Sequence, residues 1–268
     1  MISKTERIRL LEHVDVVDSG SGSVVALAHG AGGGVRENFS PLIAASSGGR
    51  RFVGPYYPGA GKTPLATDPL SIEKLADTVV AAALQAGAER FPVVGLSLGA
   101  AVAVTAAARH PEQVSALVLT VGLVHPDAQS SAFVTVWRRL AEHGDYASLA
   151  ELILYAANSP QTLASLSPEQ HTEVVRQIRR DYPAGGAAHV ELVSRTDVRP
   201  LLASIEVPTL VVVAGQDRVV LPDTTRKLAS GIEGADLIEY PVAGHIFTAA
   251  EAQRWAADVG AFLDRLPK

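Results

Sequence analysis

The chain has 268 residues, of which 47% are hydrophobic and 19% are charged, and its formal net charge is -5. This composition is typical of a globular protein with a sizeable core, and it argues against a disordered chain. The acidic balance also argues against a nucleic-acid surface, so we expect no nucleic-acid partner. The absence of cysteine excludes disulfides, thiolate catalysis and thiolate metal sites.

No targeting or membrane segment is predicted at the start of the chain or beyond it. Residues 1–13 are charged and lack the apolar core of a signal peptide. No apolar run approaches the roughly 20 residues that span a bilayer. We therefore expect a cytoplasmic protein with no membrane partner.

Short apolar runs alternate with helical patterns along most of the chain. The predicted strands are 14–17, 24–28, 51–53, 91–94, 114–121, 209–214 and 237–240. The predicted helices between and after them are 37–45, 71–87, 100–109, 222–229 and 249–266. Strands that are separated by helices pair in parallel through right-handed crossovers. The sequence therefore predicts an α/β fold with a mostly parallel central sheet flanked by helices.

The alternation stops between residues 122 and 199. This stretch contains helical patterns and no convincing buried strand. An insertion at this point would lie over the carboxyl ends of the strands, where open α/β sheets place their sites. We therefore predict a core formed by 1–122 and 199–268, with a helical cap formed by 123–198.

The segment Gly95–Gly99 reads Gly-Leu-Ser-Leu-Gly and lies between a predicted strand and a predicted helix. A Gly-x-Ser-x-Gly sequence in this context is typical of a sharp turn that exposes a nucleophilic serine. The turn would place the hydroxyl at a helix N-terminus, where backbone N–H groups can stabilise an oxyanion. The pattern therefore predicts that Ser97 is a nucleophile.

A serine hydroxyl needs a base that accepts its proton, and the base must be held in orientation. His245 follows the last predicted strand, at the same end of the sheet as Ser97, which favours it as the base. Asp217 follows the strand 209–214 and could accept a hydrogen bond from the imidazole Nδ1–H. Asp127, which follows the preceding strand, is the alternative acid.

These motifs resemble those of the α/β-hydrolase superfamily, and the order Ser97, Asp217, His245 is that superfamily's order. The resemblance extends over nearly the whole chain and implies a single α/β-hydrolase fold with a helical cap. Within the superfamily the chain is similar to enol-lactone hydrolases, small-molecule esterases and cofactor-free haloperoxidases. Serine at position 97 argues against haloalkane dehalogenases and epoxide hydrolases, which have aspartate there.

The segment His29-Gly30-Ala31-Gly32 resembles the oxyanion turn of the superfamily. By position, the resemblance assigns the two oxyanion donors to the backbone N–H groups of Ala31 and Leu98, with Gly32 as a near alternative to Ala31. His29 itself is predicted to brace the turn.

A second glycine-rich segment, 59–63, resembles the end of a phosphate-binding loop. Tyr56 occupies the position at which that motif requires glycine. The segment is more similar to the Pro-Gly-x-Gly loop of α/β-hydrolases, although Tyr56 replaces the aspartate that is usual there. We therefore predict no nucleotide site.

The resemblance implies hydrolysis of a small-molecule ester or lactone through an acyl-enzyme, with no cofactor and no metal. Thioester hydrolysis or carbon–carbon bond hydrolysis on the same triad remains an alternative, and so does a non-catalytic protein that binds a small ligand. Residues predicted to contact the substrate are Phe39 near the oxyanion turn and His125, Phe133 and Trp137 in the cap.

Overall fold

The computed structural model describes residues 2–46 and 48–267, and the strands in these ranges form one seven-stranded sheet. The strands are β1 (Val16–Gly20), β2 (Ser23–Ala28), β3 (Arg50–Pro55), β4 (Phe91–Leu96), β5 (Val114–Thr120), β6 (Thr209–Ala214) and β7 (Asp236–Tyr240). Their spatial order is β1-β3-β2-β4-β5-β6-β7. β1 pairs with β3 in antiparallel orientation, and the other neighbours are parallel. The predicted mostly parallel sheet is confirmed.

The helices flank this sheet or follow β5. They are α1 (Lys4–Leu11), α2 (Val35–Ala45), α3 (Ile72–Gln85), α4 (Leu98–Arg109), α5 (Ala128–Glu142), α6 (Tyr146–Ala157), α7 (Pro160–Ala164), α8 (Pro168–Asp181), α9 (Gly186–Arg195), α10 (Pro222–Gly231) and α11 (Ala249–Asp264). A 3-10 helix spans Arg199–Ser204. In the described ranges, none of the helices has the length and apolar character that a bilayer crossing requires.

The central strands are buried on both faces, which explains their unbroken apolar sequences. Alternate residues of β6 belong to different sides: Val211 and Val213 pack in the core layer of α3 and α4, and Leu210 and Val212 pack in the layer of α2 and α11. This arrangement directs the carboxyl ends of β4, β5 and β6 toward one edge of the sheet, where the loops that carry polar residues begin.

Helices α5–α9 follow one another between β5 and β6, and we refer to residues 128–195 as the α5–α9 segment. The segment has its own small apolar cluster, which includes Val134, Trp137, Leu149 and Val190. In α8, by contrast, every described residue is at least partly exposed.

The sequence patterns did not predict α1, α7 or the 3-10 helix. Each is short, half of the residues of α1 are charged, and none of the residues of α1 is fully buried. Hydrophobic periodicity, which is the main signal for a helix, is therefore missing in these segments.

Candidate active site

Ser97 occupies the turn between β4 and α4, with φ 56° and ψ -119°. A positive φ at a residue with a side chain costs about 1–3 kcal/mol and persists only where the surroundings enforce it. Here the Ser97 N–H donates to the Thr120 carbonyl oxygen of the neighbouring strand at 2.9 Å. The turn is therefore held by the sheet itself, and it presents the serine at the carboxyl edge.

The glycines on either side of Ser97 are required by close backbone contacts. A Cβ added at Gly95 would overlap the carbonyl oxygen of Gly99, and one added at Gly99 would overlap the carbonyl oxygen of Ala28. These neighbours are backbone atoms of α4 and of β2, so no flexible side chain could move aside to make room. The Gly-x-Ser-x-Gly sequence is thus a packing requirement of this strand–turn–helix unit.

We expect Gly99→Ala to cost more than about 3 kcal/mol and to yield little folded protein, because the added methyl displaces β2 backbone. Denaturant titration monitored by circular dichroism measures the effect. The matched control is Gly260→Ala in α11, where the nearest atom to an added Cβ lies 4.0 Å away. That change should be neutral or stabilising by up to about 1 kcal/mol. Equal stability of the two variants would contradict the packing requirement.

The structure brings the three predicted polar residues into one chain of contacts. The His245 Nε2 atom lies 3.1 Å from Ser97 Oγ, and the His245 Nδ1 atom lies 2.7 Å from Asp217 Oδ2. A carboxylate oxygen accepts, so Nδ1 carries the hydrogen and Nε2 faces Ser97 as an acceptor. This is the tautomer that can take a proton from the serine hydroxyl.

Asp217 is itself fixed by backbone donors. Its Oδ1 atom accepts from the N–H groups of Val219 and Val220 at 2.8 and 2.9 Å, and the residue is only 3% exposed. Both carboxylate oxygens are therefore engaged, which leaves the side chain a single orientation toward His245.

Asp127, the alternative acid, has a different position and different partners. It caps α5 by accepting from the Ser130 N–H at 2.8 Å, and its other oxygen accepts from the Thr224 hydroxyl at 2.9 Å. The geometry therefore favours Asp217 as the partner of His245.

The glycine-rich turn after β2 lies beside Ser97. A Cβ added at Gly30 would lie 3.3 Å from the Ser97 Cβ. The Gly30 N–H donates to Asn38 Oδ1 at 2.8 Å, and the Gly32 N–H points to His189 Nδ1 at 3.4 Å. Within the described residues, the N–H groups of Ala31 and Leu98 have no protein acceptor, so they are available to an oxygen of a ligand.

His29 lies beneath this turn and is fully buried. Its Nδ1–H donates to the Gly30 carbonyl oxygen and its Nε2 accepts from the Tyr57 N–H, both at 2.9 Å. Burial lowers the pKa of His29 to about 3, and the ring stacks on Tyr57 with centroids 3.7 Å apart. A neutral His29 therefore connects the turn to the loop that follows β3.

A cavity of about 460 Å³ opens beside Ser97 and His245. This volume is sufficient for a small molecule. Phe133 and Trp137, which were predicted as substrate contacts, line it. The other apolar side chains in its wall include Leu96, Leu123, Val134, Ile153, Val174, Ile178, Val190, Val193, Val219, Val220, Ile246, Phe247 and Trp255.

Two predicted substrate contacts, Phe39 and His125, lie outside the cavity wall. Phe39 is fully buried in the core against Trp255, with ring centroids 6.4 Å apart, and Trp255 lines the cavity instead. The His125 Nδ1–H donates to the adjacent Pro126 carbonyl oxygen at 2.8 Å. The prediction of these two contacts is corrected, because proximity in sequence did not fix the direction of either side chain.

Several residues of the site were missed at the level of sequence. Asn38 and His189, which hold the glycine-rich turn, belong to this group, and so do Val174 and Ile178 of α8. The two α8 residues are four positions apart and so share one helix face, which is a usable signal. In the described ranges, no group of three or more His, Asp or Glu side chains is arranged to hold a metal ion.

The family model described as alpha/beta hydrolase fold matches residues 24–249. This chain is an α/β-hydrolase. The hydrolase is 31% identical over 229 residues to the pyrrolizixenacetamide deacetylase of Xenorhabdus hominickii, with 85% of each chain covered. It is 29% identical over 211 residues to the pimeloyl-[acyl-carrier protein] methyl ester esterase of Neisseria meningitidis serogroup C, covering 75% of the hydrolase and 78% of that protein.

A solved structure of the enol-lactonase from Burkholderia xenovorans LB400 superimposes on the hydrolase with a TM-score of 0.81. The sequence identity is 23%, and the match covers 94% of the hydrolase and 96% of that chain. The predicted membership of the α/β-hydrolase superfamily and the similarity to an enol-lactonase fold are thus confirmed. The curated relatives are named for hydrolytic reactions, and the hydrolase is an enzyme of this class.

Proposed function

We propose that the enzyme cleaves a small-molecule ester or lactone through an acyl-enzyme on Ser97. The observation that carries the proposal is the continuous contact from Ser97 Oγ through His245 to Asp217, at 3.1 and 2.7 Å, beside an apolar cavity. A hydroxyl, an oriented imidazole and a buried carboxylate in this order are the machinery of acyl transfer.

In the first half-reaction, Ser97 Oγ attacks the carbonyl carbon while its proton passes to His245 Nε2. The oxygen of the tetrahedral intermediate accepts hydrogen bonds from the N–H groups of Ala31 and Leu98, which have no protein acceptor among the described residues. Asp217 stabilises the imidazolium. Collapse breaks the carbon–oxygen bond, and His245 returns the proton to the leaving alkoxide.

In the second half-reaction, water attacks the acyl carbon after His245 has taken its proton. The second tetrahedral intermediate collapses, the Ser97 oxygen leaves and regains a proton from His245, and the carboxylic acid is released. Atoms and charge balance with water as the single co-reactant. For a lactone, alcohol and acid remain in one hydroxy-acid product.

Residues 123–198 serve as a cap over a core formed by 1–122 and 199–268 in this proposal. Side chains of α5, α6, α8 and α9 supply one wall of the cavity, and loops of the core supply the wall that carries Ser97 and His245. A cap of this kind excludes bulk water, which strengthens the electrostatic interactions at the reacting carbonyl.

The charge of the cavity wall favours a neutral acyl group. Among the described residues, no lysine or arginine lines the cavity, and the acidic residues there are Glu37 and Asp181. A substrate carboxylate entering this apolar space would lose its hydration without gaining a cationic partner. The preferred substrate is therefore an uncharged small ester or lactone.

A matched pair of esters tests both the reaction and this selectivity. We expect p-nitrophenyl butyrate to be hydrolysed with a kcat/KM at least about tenfold above that of mono-p-nitrophenyl succinate, because burying an unpaired carboxylate costs more than about 1.4 kcal/mol. The double variant Glu37→Gln/Asp181→Asn should reduce the ratio of kcat/KM between the two esters, because it removes the acidic side chains of the cavity wall. Equal rates on the two esters would contradict the charge argument and leave the reaction itself supported.

The two esters should be assayed beside a panel of lactones, thioesters, N-acetyl amides and β-diketones. The same machinery suits thioester or carbon–carbon bond hydrolysis, and the amides are included because one relative is named a deacetylase. A higher kcat/KM on one of these classes would move the proposal to that bond. A folded protein that binds these compounds without turning any of them over would favour a ligand-binding role instead.

A further inference from the structure

His189 joins the α5–α9 segment to the glycine-rich turn of the core. It lies on α9 and is fully buried. The His189 Nε2 atom lies 2.9 Å from the Pro58 carbonyl oxygen, and its Nδ1 atom lies 3.4 Å from the Gly32 nitrogen. Because a carbonyl oxygen can only accept, Nε2 carries the hydrogen, and Nδ1 is left to accept from the Gly32 N–H.

The environment of the ring keeps His189 in the neutral form that this pattern requires. Burial lowers the pKa of His189 to about 4, and the ring of the equally buried His29 lies 5.9 Å away between centroids. A protonated His189 would direct an N–H at the N–H of Gly32. At neutral pH, His189 is therefore a permanent acceptor for the turn.

The turn needs such an anchor because four of its five residues, 30–34, are glycine. Glycine has more backbone freedom to lose than any other residue, and Gly32 adopts a φ of 69° that other residues rarely take. The Gly30 N–H is fixed by Asn38, and the Gly32 N–H faces His189. The backbone is thus held on both sides of Ala31, whose N–H has no protein acceptor in the described ranges, and His29 holds the Gly30 carbonyl oxygen of the peptide between Gly30 and Ala31.

The position of His189 is itself set by contacts between α9 and the core. The Gly185 N–H donates to the Gly59 carbonyl oxygen at 3.0 Å, and a Cβ added at Gly185 would overlap the Pro58 carbonyl oxygen. His189 lies one helical turn further along, and its N–H donates to the Gly185 carbonyl oxygen at 3.0 Å. The start of α9 therefore cannot shift without moving the imidazole.

We infer that His189 is a positioning residue for the oxyanion hole: by holding the Gly32 peptide, it orients the neighbouring Ala31 N–H toward the substrate oxygen. This inference rests on the proposed acyl-transfer function. It also means that the oxyanion hole is completed by the α5–α9 segment and is not a property of the core alone. His189 does not touch the substrate; its effect on the transition state passes through the turn.

The test compares variants of His189 by steady-state kinetics on p-nitrophenyl butyrate. We expect His189→Ala to lower kcat by about tenfold to a hundredfold with little change in KM, because the oxyanion donor matters chiefly in the transition state. A trifluoromethyl ketone, which forms a tetrahedral oxyanion on the serine, should lose affinity in proportion to kcat/KM. The corresponding unreactive methyl ketone should bind as it does to the wild type.

Two further variants separate positioning from folding. His189→Gln places an amide acceptor and an amide donor at a spacing close to that of the two ring nitrogens, and it should restore most of kcat. His189→Phe keeps the ring volume without either nitrogen, so it should show the loss of kcat even if His189→Ala folds poorly. The matched control is Arg195→Ala, which removes another bond from α9 to the core, from Arg195 Nη2 to the Leu70 carbonyl oxygen at 3.4 Å, away from the turn.

Each outcome bears on a different statement. Unchanged kcat in His189→Phe, or loss of kcat without weaker binding of the trifluoromethyl ketone, overturns the positioning role while the proposed function stands. An equal loss of kcat in Arg195→Ala does the same, because the effect would then reflect the general attachment of α9. A wild-type protein without turnover or serine labelling by a fluorophosphonate overturns the proposed function itself, and this inference with it.

Discussion

Ser97→Ala should lower kcat by roughly four to six orders of magnitude, because it removes the atom that forms the acyl-enzyme and leaves only binding and the oxyanion donors. The loss should be measured on p-nitrophenyl butyrate, and intact mass after fluorophosphonate treatment should show one adduct on the wild type and none on the variant. The exposed Ser40, whose hydroxyl donates to the Arg36 carbonyl oxygen, supplies the control: Ser40→Ala should react and label as the wild type does.

The same position gives a stability measurement that is independent of activity. Alanine keeps the Cβ at φ 56°, so Ser97→Ala should unfold at nearly the wild-type denaturant concentration. Ser97→Gly removes the Cβ that makes this φ costly, and it should be at least as stable as Ser97→Ala despite the greater freedom of glycine in the unfolded chain.

Normal turnover by Ser97→Ala would contradict the proposed function.

Asp217→Asn should lower kcat by about 10⁴-fold with KM little changed. The amide offers one acceptor where two are needed, for the His245 Nδ1–H and for the N–H groups of Val219 and Val220. If the NH₂ group faces His245, the imidazole turns to the other tautomer, in which Nε2 carries a hydrogen and cannot accept from Ser97. Pre-steady-state kinetics should show the loss in both acylation and deacylation, because His245 Nε2 must accept a proton in each half-reaction.

Asp127→Asn is the matched control, since it makes the same chemical change at the alternative acid. Asparagine caps a helix about as well as aspartate, so we expect near-normal kcat and a stability loss of at most about 1 kcal/mol, from the carboxylate charge removed at the N-terminus of α5. The opposite pattern, a large loss of kcat in Asp127→Asn and a small one in Asp217→Asn, would transfer the orienting role to Asp127.

The sequence predicted correctly the elements whose burial leaves a regular pattern of apolar residues. β6 reads as an unbroken apolar run because helices cover both of its faces, and α11 carries an apolar stripe because one face meets the sheet. The same reasoning failed for α1, since its charged residues carry no such periodicity.

The position of the proposed triad was also predictable, for a topological reason. Loops after parallel strands meet at one edge of the sheet, so Ser97, Asp217 and His245 share that edge once the strand order is known. What remained open was the choice between Asp217 and Asp127, which both follow strands. Only hydrogen-bond geometry separates them, because Thr224 of α10, which occupies the second carboxylate oxygen of Asp127, lies 97 positions away in sequence.

Local sequence patterns and chain order were enough to predict the fold class and the chemistry that the carboxyl edge can support. Which side chains face the cavity, and which hold the glycine-rich turn, depends on how distant parts of the chain pack together. Phe39 was predicted to contact the substrate, but it is buried in the core, and Pro41, two residues further along α2, lines the cavity instead. His189 was not predicted, because its contact with Gly32 joins residues 157 positions apart and forms only when α9 packs against the core.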